Sequence, residues 1–103
     1  YFGTDIAVDP MIAYEWARIP HFYSSFYVYK YATGFSSAIA ISQKILKEGE
    51  PAVKAYRQFL SGGGSDYPLN LLRKVGVDLT NPQPVLDALT VFEKLLDEFE
   101  ALI

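Results

Sequence analysis

Leu86, Leu89, Phe92, Leu95, Leu96 and Phe99 recur at i, i+3 and i+4, the spacing of one apolar helix face held over about four turns. The same reading applied upstream predicts four more helices. After an irregular lead-in over residues 1–8, Asp9-Pro10 opens a short helix with an acidic N-cap and proline at the first helical position. Met11, Ile12, Tyr14, Trp16 and Ile19 are expected to share its apolar surface, and Ile19-Pro20 ends it. A long helix is expected from near Ser24 to about Glu48, with Phe26, Tyr29 and Tyr31 leading into Phe35, Ile39, Ile41, Ile45 and Leu46. The small residues between them, Ala32, Gly34, Ser36, Ser37, Ala38 and Ala40, let a neighbouring helix approach closely and place this helix centrally. Gly49 suits the left-handed position after its end.

Glu50-Pro51 restarts a third helix over 52–60 that buries Val53, Tyr56, Phe59 and Leu60. Ser61-Gly62-Gly63-Gly64-Ser65 follows as the low-complexity stretch. Asp66-Tyr67-Pro68 caps a short fourth helix through Leu69, Leu72 and Val75, stopped by Gly76. Thr80 or Asn81, ahead of Pro82 and Pro84, opens the last helix. No segment of four to eight residues alternates cleanly enough for a strand. The expected fold is all-α, a single helical domain of about five helices over 1–103.

Composition narrows the class. Half of the 103 residues are hydrophobic and 20% are charged, which excludes disorder and allows a filled core. A net charge of -3, with nine scattered basic residues, argues against a nucleic-acid partner. The absence of cysteine rules out a disulfide scaffold and agrees with a reducing compartment or with indifference to redox. Lys30, Lys44 and Lys47 break the longest apolar run well short of a membrane span, and no signal peptide is recognisable. The chain opens on Tyr1, not Met, and is expected to be cut from something longer.

Chemistry concentrates near the start, in Pro20-His21-Phe22-Tyr23-Ser24-Ser25-Phe26-Tyr27-Val28-Tyr29-Lys30-Tyr31. The chain's one histidine and four of its eight tyrosines fall within eleven residues there. With a helix from Ser24, Tyr27 and Tyr31 would lie one turn apart, Phe26 and Tyr29 would share another face, and His21 and Tyr23 would sit in the preceding turn. An imidazole and phenols so placed can hydrogen-bond a polarised carbonyl and its developing oxyanion. The alternative is that these rings are core, their hydroxyls satisfied by nearby backbone. One histidine cannot supply the three or four ligands zinc needs.

Gly62-Gly63-Gly64 could cradle an anion or admit a substrate backbone, but it lacks the phosphate-loop pattern, and such a stretch is more often a flexible helix–helix connection. Glu93, Asp97, Glu98 and Glu100 interleave with the last helix's apolar stripe, as on a solvated face.

Ala17-Arg18-Ile19-Pro20-His21-Phe22-Tyr23 and Phe26-Tyr27-Val28-Tyr29-Lys30-Tyr31-Ala32-Thr33-Gly34 strongly resemble the C-terminal region of the oligoendopeptidase F family, within the thimet-oligopeptidase-like zinc metallopeptidases. Phe59-Leu60-Ser61-Gly62-Gly63-Gly64-Ser65-Asp66-Tyr67-Pro68 and Val75-Gly76-Val77-Asp78 extend the likeness over nearly the whole chain. The resemblance implies a C-terminal fragment of a cytoplasmic, mostly helical peptidase that cuts short peptides. In that family zinc is held by two histidines of H-E-x-x-H and a downstream glutamate, and the motif glutamate activates water. H-E-x-x-H does not occur here, so zinc and general base are expected in the rest of the parent, with no metal bound by this segment.

The family's substrate-side donors do fall within the chain. By resemblance His21 makes a substrate carbonyl or backbone contact, Tyr29 is the oxyanion-side phenol, and Tyr23 and Tyr27 are further substrate contacts. Gly63 and Gly64 are assigned to substrate binding. The expected partners are an oligopeptide and the remainder of the peptidase, with self-association of the isolated piece. The rival is a free-standing helical interaction module with an aromatic binding surface and no catalysis.

Overall fold

The computed structural model describes residues 3–103, and every regular element among them is helical. Two 3-10 helices, η1 (Pro10–Arg18) and η2 (Pro20–Tyr23), precede four α-helices: α1 (Tyr29–Glu48), α2 (Glu50–Ser61), α3 (Pro68–Lys74) and α4 (Gln83–Glu100). The chain divides into two compact units at Lys30 and Tyr31.

In the first unit, the Asp9 carboxylate accepts from the Met11 N–H at 2.9 Å and Pro10 follows it, the start expected of a helix. The helix is wound as 3-10, however. At three residues per turn, positions i and i+3 eclipse, so Met11 and Tyr14 share one row while Ile12 and Trp16 fall in the two others, instead of all sharing one 3.6-residue face. None of its residues is buried. Ile19 leaves it in an extended conformation, as a residue before proline should.

The long helix starts at Tyr29, five residues later than its sequence pattern predicts. Ser24 and Ser25 compete for backbone hydrogen bonds and favour a turn. The Tyr27 N–H donates to the Ser24 carbonyl at 3.3 Å, and Phe26 between them takes φ +59. Positive φ at the third of four residues is the pattern of a type II turn, a position usually given to glycine. Phe26 and Tyr27 therefore precede the helix whose one-turn spacing was expected to set Tyr27 beside Tyr31 and Phe26 beside Tyr29.

The second unit holds the core. Ile41 of α1 packs with Val75 and Val77 from the end of α3, ringed by Ala40, Ile45, Ala55, Tyr56, Phe59, Leu72 and Leu79. Ser36 and Ser37 are buried on α1, as its small-residue stripe predicts, and the Ser37 hydroxyl donates to the Thr33 carbonyl at 2.7 Å. Phe35 and Leu46, expected inside, are exposed. Gly49 separates α1 from α2 with φ +68 and ψ -136, a glycine conformation distinct from the left-handed helical one.

On α2 the buried face runs through Ala52, Ala55, Tyr56 and Phe59, which turns Leu60 outward. On α3 it is Leu71 that is buried, while Leu69 is 42% exposed. The Asn81 carboxamide accepts from the Gln83 N–H at 2.9 Å and so starts α4, although Pro82 holds the N-cap position. Within α4 only Pro84 and Ala88 are buried, and the whole stripe from Leu86 to Phe99 lies at the surface.

Candidate functional site

The aromatic segment of the first unit is exposed, and specific contacts hold it. η2 is a single short turn that carries His21 between Pro20 and Tyr23. The Tyr23 hydroxyl donates to the Ala17 carbonyl, which ties the end of η2 back to η1. Trp16 and Phe22 reinforce this with an edge-to-face contact, ring centroids 6.4 Å apart at 86°.

Beyond the Ser24–Tyr27 turn the chain folds back, and the Tyr27 ring stacks on the His21 imidazole with centroids 5.0 Å apart and planes 15° from parallel. The Lys30 Nζ lies 5.1 Å from the Tyr27 ring centroid, within cation–π range. Tyr29, the first residue of α1, is 56% exposed.

Four expected site residues thus lie in one stretch of the first unit, and two of them, His21 and Tyr27, are in ring contact. The Tyr23 hydroxyl is engaged by backbone. Sequence reasoning missed two participants, Phe26 and Lys30. Lys30 was findable, because it lies three residues from Tyr27, near enough along the chain for its ammonium to reach the ring. Nothing in the local sequence announced the left-handed φ of Phe26.

Gly63 and Gly64 belong to the second unit, at the α2–α3 connection. That connection is a hydrogen-bonded turn. The Gly62 N–H donates to the Gln58 carbonyl at 3.1 Å, the Gly63 N–H to Leu60 at 3.4 Å, and the Ser65 N–H to Gly62 at 3.1 Å. Gly63 has φ +50. An open depression of about 380 Å³ is lined by Gly64, Ser65, Asp66, Tyr67 and Pro68.

The Asp66 carboxylate accepts from the Asn70 side chain at 2.9 Å and the Tyr67 N–H at 2.7 Å, and these bonds hold its pKa below the ordinary carboxylate value. Asp66 supports the start of α3, with Tyr67 at the N-cap position itself. Asp78 is lowered likewise, first by the Thr80 hydroxyl at 2.7 Å and then by the Thr80 N–H at 2.9 Å, with Arg73 3.4 Å away adding to the effect.

Among the described residues no three His, Cys, Asp or Glu side chains gather closely enough to hold a metal ion. Glu93, Asp97, Glu98 and Glu100 are all exposed on α4. The donor set of this chain does not fit a zinc centre. Nor is any helix among these residues long and apolar enough to cross a membrane. What the site presents at the surface is an imidazole and phenols.

The sequence profile of peptidase family M3 matches residues 1–91. Oligopeptidase PepF of Bacillus subtilis is 53% identical over 103 residues, which is all of this chain and 15% of that protein. Group B oligopeptidase PepB of Streptococcus agalactiae is 44% identical over the same span, 17% of its length. The chromosomal oligoendopeptidase F of Lactococcus lactis is 41% identical, again over the whole chain and 17% of the relative. The chain therefore spans about a sixth of the length of these relatives. No solved structure matches.

Proposed function

Because the chain belongs to peptidase family M3, we propose that it is the substrate-side part of a zinc-dependent oligoendopeptidase that acts on short peptides in the cytoplasm. Zinc and the general base would come from the remainder of the parent polypeptide. The donor set here does not fit the metal, so no step assigned to this chain passes through it.

The role left to this segment is hydrogen bonding to the scissile carbonyl. The His21 imidazole N–H and the Tyr29 hydroxyl donate to the carbonyl oxygen as it becomes the tetrahedral oxyanion. A donor already in place stabilises that charge without reorganising at the moment of reaction. Gly63 and Gly64, in the second unit, are proposed separately as substrate-binding residues. Bond cleavage itself needs the absent groups.

The observation that carries this reading is the exposed, contact-held array of His21 and the tyrosines just ahead of α1 and at its start. Family membership favours it over the free-standing interaction module. In the full-length peptidase, Tyr29→Phe is expected to lower kcat about 10²-fold with a smaller change in KM, as loss of one oxyanion donor does. Steady-state kinetics on a quenched fluorescent oligopeptide checks this, and an unchanged kcat removes Tyr29 from the role.

A further inference from the structure

We propose that Tyr27 is a positioning residue for His21, its ring serving as the shelf that fixes the imidazole. The inference rests on the catalytic reading of His21 for its consequence, but not for its geometry. An exposed histidine on a one-turn helix has rotamer freedom, and a donor that must meet a carbonyl cannot keep it. Here the imidazole lies 5.0 Å from the Tyr27 ring and nearly parallel to it. A face-on stack occupies the π surface of the imidazole and leaves its nitrogens in the ring plane, where a donor must be.

The backbone is built to produce this contact. Phe26 holds the left-handed φ of +59 while its side chain is 85% exposed, so its own burial does not explain the strain. That turn is what returns Tyr27 over a residue six positions earlier. A bulky residue kept in a sparsely populated conformation points to a constraint that the surroundings enforce. Lys30 makes a further contact with the same ring, its Nζ 5.1 Å from the Tyr27 centroid. Tyr23 pins the backbone of η2 through the Ala17 carbonyl. His21 is thus set from two directions, by its own helix and by the ring stacked on it.

His21 is the chain's one histidine, so its ring protons are identified directly by NMR. In the wild-type chain they are expected to be shifted upfield by the ring current of Tyr27. Tyr27→Phe keeps that shift and Tyr27→Leu abolishes it, with helix content by circular dichroism confirming that both variants fold. An unshifted wild-type histidine, or the same shift in Tyr27→Leu, overturns the proposal. In the full-length peptidase, Tyr27→Leu should cost roughly ten- to a hundredfold in kcat with little change in KM, and Tyr27→Phe should restore most of it. An equal loss in both variants would make Tyr27 a substrate contact through its hydroxyl and sink the positioning role. Full activity of His21→Ala overturns the catalytic reading alone, while the ring-current result still supports the stack.

Discussion

Phe26 carries the clearest local conflict between sequence and conformation. A side chain with a Cβ pays about 1–2 kcal/mol to sit in the left-handed region. At 85% exposure Phe26 recovers little of that through burial. Asparagine tolerates this region far better. Phe26→Asn is therefore expected to raise the stability of the chain by about 0.5–1 kcal/mol, read as a higher urea midpoint with unchanged slope. A lower midpoint would mean that the phenylalanine ring makes contacts worth more than the strain. The neighbouring residues were more legible. An imidazole and four phenols crowded into eleven residues already mark this exposed segment as the candidate site. Which of them touch depends on a turn whose third residue is neither glycine nor asparagine, and local sequence carries no signal for that.

At the scale of elements, the end of α3 shows how a helix stop builds a core. The Gly76 N–H donates to the Arg73 carbonyl at 3.0 Å and the Val77 N–H to the Leu72 carbonyl at 3.0 Å, the paired bonds of a Schellman motif. Gly76 supplies the left-handed residue with φ +87. The motif turns the chain so that Val75 and Val77, 1% and 2% exposed, both enter the core against Ile41, with Leu72 packed on them. Alanine at Gly76 would meet the Lys44 Nζ at 2.9 Å as well as the φ penalty. The lysine tip can swing aside at the expense of its 3.1 Å pair with Glu48, a half-exposed contact worth little. Gly76→Ala should then destabilise the chain by about 1 kcal/mol, the backbone strain less the stiffening of the unfolded chain. Denaturant unfolding checks this, and a stabilised variant would contradict the left-handed assignment. The stop at Gly76 was legible because glycine after a helical run has one common use. The start of α1 was not, since the apolar spacing runs on through the serines and nothing in it registers the Ser24–Tyr27 turn. Likewise Asp9-Pro10 announces a helix without saying whether it winds at 3.0 or 3.6 residues per turn.

At the scale of the molecule, the apolar pattern of α4 is present and its burial is not. Leu86, Leu89, Phe92, Leu95, Leu96 and Phe99 are between 44% and 64% exposed, although their spacing is that of a core face. Periodicity reports that a face will be covered, not which polypeptide covers it. Soluble monomers rarely leave a continuous apolar strip of this kind open. A chain that spans about a sixth of its relatives' length gives a reason for the difference, and in the intact protein we expect the remaining polypeptide to supply the cover. Alone in water, the same strip can be covered by a second copy. Sedimentation equilibrium of the 103-residue chain should therefore show association that strengthens with concentration. Phe92→Glu, which places a charge at the middle of the strip, should shift the chain toward monomer while circular dichroism reports the same helix content. A wild-type chain that stays monomeric at every concentration would contradict this. A Phe92→Glu chain that associates as strongly as wild type would move the contact to another surface, with the exposed Phe35 and Leu46 of α1 the next candidates.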